Sequence, residues 1–241
     1  MDKVIRWHDY GDIKPTPRAP RKSIQQSWDI VGGLSKPSKM PSYGYSIPAK
    51  YCNVGSKLRL VEGSTCSKCY ALKGRYVFPN VADCLERRYE SLNNPLWVDA
   101  MVHIINTLQL EFFRWHDAGD IQSIEHLHKI ATVALLTPNT KHWLPTREYR
   151  IVKDYQSQTY LIEGQRHIPS VNTIPDNLTI RLSAHMVDTT PSSSFNLPTS
   201  TVIKNTTPST FICNAKTRQG KCGPCRACWS PKVANVAYPI H

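Results

Sequence analysis

The chain has no stretch approaching the roughly eighteen uninterrupted apolar residues of a membrane-spanning helix, and only 40% of its 241 residues are hydrophobic. No membrane partner is expected. Its opening, MDKVIRWHDYGD, lacks the apolar h-region of a secretory signal. The expectation is a cytoplasmic protein, whose cysteines stay reduced or bind metal. Acidic residues are scarce too: 18 Asp and Glu stand against 30 Lys and Arg, a net charge of +12. A polyanion such as nucleic acid suits that excess, although excess charge also serves solubility alone.

Cysteine is not scarce: there are eight. Four fall near the C-terminus, Cys213, Cys222, Cys225 and Cys228 in FICNAKTRQGKCGPCRACW, with the spacing C-x8-C-x2-C-x2-C. Two-residue gaps let neighbouring thiolates converge on one metal centre, and Gly220, Gly223 and Pro224 supply the tight backbone such a loop needs. The spacing suits an iron–sulfur cluster of the [4Fe–4S] type, a structural zinc knot or a disulfide knot. Thiolates serve iron and zinc alike. A second group lies in YGYSIPAKYCNVGSKLRLVEGSTCSKCYALKGRY. Cys66 and Cys69 form a ligand-type pair, and Cys52 can supply a third thiolate across a hairpin. Cys84, in an expected helix over 81–92, reads as a small buried apolar residue.

Residues 1–38 read as a basic, proline-rich arm. Its run KPTPRAPRK (Lys14 to Lys22) favours extended structure and offers cations to nucleic-acid phosphates. RWHDYGDI at Arg6–Ile13 recurs as RWHDAGDI at Arg114–Ile121, identical at seven of eight positions. The arm can therefore imitate the internal segment and take its place in another copy, a route to self-association.

Residues 39–205 read as an α/β metal-binding domain, and 206–241 as a cysteine-rich segment. After a first strand near residue 43, an amphipathic helix follows Asn94-Pro95, with Leu96, Trp97, Met101, Ile104, Ile105 and Leu108 at helical spacing. A strand is expected over 111–115. Ser123 caps the next helix, with Ile124, Leu127, Ile130 and Leu135 as its stripe. A strand over 141–144, a helix over 149–155, a strand over 178–183, a polar loop from Asp188 and a last strand over 201–203 complete the pattern. Strands alternating with helices argue for a partial (β/α) barrel or a mostly parallel sheet with a cysteine-rich C-terminal extension.

In such folds functional groups gather where strands end. One strand end presents His116, Asp117 and Asp120, the next Thr146, Arg147 and Glu148, and a third Ser183 and His185. The loop of Cys66 and Cys69 opens on the same face. Asp117 and Asp120 fit a metal, a ribose or amine, a base, or a helix cap. Arg147 with Glu148 fits a clamp for carboxylate or phosphate, or a surface ion pair. Trp115, Trp143 and Trp229 read as core or as shields for a cluster.

STCSKCYALKGRY, RWHDAGDIQS, KHWLPTREYRIVKDY, LTIRLSAHMVD and CGPCRACW, in this order, resemble the phage family called gene product 88. The likeness runs from Lys39 to the C-terminus and implies a phage or prophage origin, and so the host cell cytoplasm. More distantly, CxxCYA, a strand ending in an acidic loop, a helix, and Thr-Pro before a strand ending in Thr-Arg resemble radical S-adenosylmethionine enzymes. That resemblance implies a [4Fe–4S] cluster at the mouth of a partial barrel, binding S-adenosylmethionine. Cys66 and Cys69 match its last two ligands, Tyr70 the aromatic beside them, and Cys52 stands for the first, with thirteen residues between it and Cys66. Asp117, Asp120, Arg147 and His185 would then position cosubstrate and substrate, with Tyr70, Thr146, Glu148 and Ser183 lining the cofactor. The function expected is an iron–sulfur protein, with one or two clusters, acting on nucleic acid or nucleotide by radical chemistry. A zinc-stabilised nucleic-acid- or host-factor-binding protein without catalysis is the alternative.

Overall fold

Every run that reads as a strand joins one sheet. The computed structural model describes residues 23–157, 174–191, 193–205 and 210–240. The strands are β1 (Gly44–Tyr45), β2 (Phe112–Trp115), β3 (Lys141–Thr146), β4 (Leu178–Ser183), β5 (Thr199–Ile203), β6 (Phe211–Ile212) and β7 (Asn235–Pro239). All neighbours pair in parallel, in the order β1-β2-β3-β4-β5-β7-β6. From β1 to β5 the order advances in one direction. Right-handed crossovers that never reverse keep their helices on one face, the arrangement of a (β/α) barrel wall.

The helices are α1 (Ile24–Val31), α2 (Asn53–Leu58), α3 (Pro79–Ser91), α4 (Trp97–Thr107), α5 (Ile124–Leu135) and α6 (Tyr149–Ser157). Side chains on a strand alternate between faces, and here the two faces have different cover. Phe113, Trp115, Leu144, Ile180 and Leu182 meet Met101, Ile104 and Ile105 of α4 and Leu127 and Ile130 of α5 in the main core. Each such side chain contributes about 1.5–3 kcal/mol on burial, which outweighs helix propensity. On the other face Phe112 and Trp143 pack against Trp229, from the cysteine-rich C-terminal segment. That segment is therefore a cover for the sheet and also supplies β7, inserted between β5 and β6.

The hairpin expected around Cys52 is instead a 3₁₀ turn followed by α2, β6 lies beyond the expected last strand, and two larger features depart from the sequence reading. Residues 23–38 were expected to continue the arm, yet Ser23 and Gln26 close a reciprocal capping box and α1 follows, with Ser27 and Val31 buried against α4. Gly32 ends it at φ 70°, where a Cβ would sit 2.8 Å from the Arg87 carbonyl oxygen. Only glycine meets both demands. The second departure is β7, a five-residue run (NVAYP) with no helix ahead of it to signal a crossover. KPTPRAPRK and the octapeptide Arg6–Ile13 lie outside the described residues. No helix among the described residues is long and apolar enough to cross a membrane.

Candidate functional site

After β1 the chain makes a 3₁₀ turn over Ala49–Tyr51, and Cys52 then takes the N-cap position of α2 without a side-chain capping bond. Gly55, on the first turn, leaves room for sulfur. A Cβ placed there would lie 3.6 Å from Cys52 Sγ and 3.7 Å from Cys66 Sγ, so the two sulfurs share the space above it. The Cys69 amide donates to the Cys66 carbonyl at 3.1 Å, closing the two-residue turn. Cys69 acts electrostatically on both other thiols. Burial pushes the Cys52 thiol far up, with Asp120, Cys69, Cys66 and Glu148 adding repulsion. Burial also raises Cys66, against the pull of the Arg147 guanidinium. Cys52 and Cys66 therefore hold their protons at neutral pH unless a cation joins them.

Among the described residues no three His, Cys, Asp or Glu side chains are arranged to hold one metal ion. A single tetrahedral ion at Zn–S distances near 2.3 Å requires sulfurs about 3.8 Å apart. A multi-iron cluster takes each thiolate on a different iron, so its ligand sulfurs stand wider. Three thiols on the segment between β1 and α3 are donors that suit zinc and iron alike.

The three strand ends do meet at this loop. Asp120 accepts from the Ile121 amide at 2.8 Å, the Thr146 hydroxyl at 2.6 Å and the Arg147 amide at 2.9 Å. It thus ties the loop after β2 to the end of β3. Burial pushes its carboxyl up while those donors oppose the shift. Asp120→Asn leaves the Arg147 amide facing another N–H. It is expected to lose about 1–3 kcal/mol of stability, read from urea midpoints.

Glu148, 4% exposed, accepts from the Val54 amide at 2.8 Å and so supplies the cap that Cys52 does not. Burial raises its carboxyl to about 7. Arg147 donates through Nε to the Thr65 hydroxyl at 2.9 Å, and its two terminal nitrogens make no hydrogen bond among the described residues. Thr65 in turn binds the Ala184 and His185 carbonyls. The His185 ring stacks on Tyr149 at 4.3 Å, with Nε2 3.1 Å from the Arg147 carbonyl. Asp117 faces the cysteine loop: its carboxylate accepts from the Tyr76 hydroxyl at 2.8 Å, and its carbonyl from the Tyr70 hydroxyl. The Ser183 hydroxyl pairs with that of Ser200 at 3.0 Å. His116 is buried at φ 56°, and both its ring nitrogens lack a partner. Cys84 stands apart, half-buried on α3, where Arg87 donates to its sulfur at 3.0 Å.

The C-terminal group is built on backbone anchors. The Cys213 amide donates to the Ala237 carbonyl at 2.8 Å, and that of Cys222 to Lys39 at 3.0 Å. Cys213 acts electrostatically on both Cys222 and Cys228, and Cys225 on Cys222. Burial raises Cys222, and raises Cys228 to about 11. All eight cysteines are free thiols. Arg181, fully buried, donates to the Thr199, Val233, Ala227 and Ser230 carbonyls at 2.8–3.1 Å. Thr179 donates to the Trp229 carbonyl at 2.9 Å, and the Trp229 indole to that of Phe113 at 2.9 Å. Sequence reasoning missed Arg181, although an arginine inside the otherwise apolar strand LTIRLS is itself a signal.

Arg114 joins the two groups. Its guanidinium lies 4.5 Å from the centre of the Trp143 ring, and its charge acts on Tyr70 and Asp117 as well as on Cys228 and Tyr238. Arg114 thus acts on Tyr70 and Asp117 beside the first cysteine group and on Cys222 and Cys228 of the second.

A family model described as gene product 88 matches residues 18–231. The chain belongs to this phage family. The match begins at residue 18, ahead of the Lys39 expected from the sequence, and ends at 231, so all four C-terminal cysteines lie inside it and β7 lies beyond it. No curated protein and no solved structure matches the chain. The more distant likeness to radical S-adenosylmethionine enzymes gains nothing from these comparisons.

Proposed function

We propose that this gene product 88 protein is an iron–sulfur protein, with one cluster on Cys52, Cys66 and Cys69 and a second on Cys213, Cys222, Cys225 and Cys228. The observation that carries it is the meeting of three thiols on the loop after β1 with the polar ends of β2, β3 and β4. Three thiolates on a four-iron cluster leave one iron open, and such a cluster supplies electrons to whatever ligand occupies it. Beside it, Arg147 keeps two terminal nitrogens for the carboxylate of S-adenosylmethionine or for a phosphate. Glu148, with its carboxyl near 7, holds or accepts a proton at working pH. Asp120 and Thr146 keep Arg147 in register, Asp117 holds Tyr70 and Tyr76 over the loop, and His185 and Ser183 close the far side. On this reading the substrate is a nucleic acid or nucleotide.

The C-terminal group also supports a second reading, a structural zinc site in a binding protein without catalysis. Its loop is pinned by Arg181, Thr179 and Trp229 as a structural element would be.

Anaerobic purification with metal and sulfide analysis separates the two. Broad visible absorption, with iron and sulfide in equal amounts, is expected in the wild type. Cys66→Ser should lose the iron of the first site, and Cys225→Ser that of the second. A colourless protein with zinc alone would overturn the cluster reading and leave the binding protein. Cleavage of S-adenosylmethionine under reducing conditions then tests the enzyme reading.

A further inference from the structure

Residues 68–78 run directly on from the first cysteine group, and their surface is unusual for a loop that flanks a buried site. Lys68, Lys73 and Arg75 are exposed and take part in neither of the ion pairs found among the described residues. Glu62 is the sole acidic residue between positions 49 and 78. Interleaved with these cations are exposed apolar side chains: Tyr70 at 53%, Val77 at 57% and Phe78 at 54%. Solvent alone gives no reason for three large apolar groups beside three cations in one short stretch.

The strip is also held in shape. The hydroxyls of Tyr70 and Tyr76 both bond to Asp117, and the two rings lie 5.7 Å apart. Tyr70 therefore turns its polar tip inward and leaves ring surface to solvent. Ala71 packs with Ala49 and Ala118 underneath, fixing the strip to the sheet. Phe78 occupies the N-cap position of α3, where backbone geometry holds it in place.

We propose that this strip is a binding surface for single-stranded nucleic acid, with Tyr70 and Phe78 stacking on bases and Lys68, Lys73 and Arg75 meeting phosphates. Charge complementarity names a polyanion, and pre-positioned ring faces select unpaired bases over a duplex whose bases are already stacked. An anionic membrane surface is disfavoured: the strip consists of two short 3₁₀ turns, Tyr70–Leu72 and Gly74–Val77, with no amphipathic helix to lie in an interface. The surface stands whichever metal the cysteines hold, and it is separate from the proline-rich run at Lys14–Lys22.

The test is fluorescence anisotropy of a labelled thymidine oligonucleotide with the full chain over a range of salt. The wild type is expected to bind, with log affinity falling as log salt rises. Replacing Lys68, Lys73 and Arg75 together by Gln should reduce that slope by about 2, since each phosphate contact on a single strand contributes about 0.7. Phe78→Ala should weaken binding about tenfold with the slope unchanged, as lost stacking does. Metal content and the urea midpoint of both variants should match the wild type, which keeps this outcome apart from the fate of the cluster reading. No oligonucleotide binding by the wild type would overturn the proposal. So would a triple variant with wild-type affinity and slope, which would place binding elsewhere. Equal loss of binding to anionic phosphatidylserine vesicles, with none to the oligonucleotide, would assign the strip to membranes instead.

Discussion

Arg181→Met is expected to destabilise the protein by about 3–5 kcal/mol, the scale of removing one partner from a buried charged network. The guanidinium has no exposed surface and, among the described residues, takes part in no ion pair. Its charge is balanced by the carbonyls of Thr199 on β5, Ala227 and Ser230 around the 3₁₀ turn Ala227–Trp229, and Val233 before β7. Methionine matches the length but donates nothing. Four acceptors would then be buried without donors, each costing about 1–3 kcal/mol before the chain relaxes. Relaxation moves the turn that carries Cys228, so loss of metal from the C-terminal group should accompany the loss of stability. Arg181→Lys is expected to fall between, because one ammonium cannot span four carbonyls in a plane. Urea titration followed by tryptophan fluorescence is the measurement, since Trp229 sits within this network. A midpoint for Arg181→Met equal to the wild type would show that the C-terminal cover is not held from β4.

The outline of the fold was legible because its signals are local. Aromatic and β-branched runs gave β2, β3 and β4, and Ser123 predicted the start of α5, where its hydroxyl accepts from the His126 amide. The grouping of strand ends was legible as well, because a parallel sheet sends every strand toward the same mouth. What stayed hidden depends on contacts between distant residues. α1 was obscured by the basic run ahead of it, and its burial against α4 is a tertiary fact. Nothing in NVAYP says that it will enter between β5 and β6. The tie of Asp117 to the cysteine loop was hidden as well: its carboxylate accepts from the Tyr76 hydroxyl and its carbonyl from that of Tyr70. Spacing could bring Cys66 beside Cys69. Only the fold shows Cys52 and Cys66 sharing the space over Gly55.

Acid should destabilise the protein earlier than its carboxylates alone would allow, because three histidines are buried neutral. Burial holds His126 and His142 down at about 3, and burial with the neighbouring His126 and Arg114 charges holds His116 well below its ordinary value. For His142 the hydrogen bonds say the same. The Trp115 indole donates to its Nδ1 at 3.2 Å, so Nε2 carries the proton and faces Thr137 at 2.8 Å. A second proton would set N–H against N–H. With folded values depressed, the unfolded chain alone takes up protons as pH falls through about 6.5, so stability is present above that pH and lost below it. From about pH 7.5 to about pH 5.5 each histidine costs about 1.4 kcal/mol, roughly 4 kcal/mol together. Glu148 acts in the opposite sense. Its carboxyl, raised to about 7, takes a proton in the folded state first and returns about 2 kcal/mol over the same range. Glu148→Gln should therefore lose about 2 kcal/mol more than the wild type over this range, read from urea midpoints at each pH. A Glu148→Gln profile flat across this window would mean that the buried histidines accept protons in place, which the paired donors around His142 oppose.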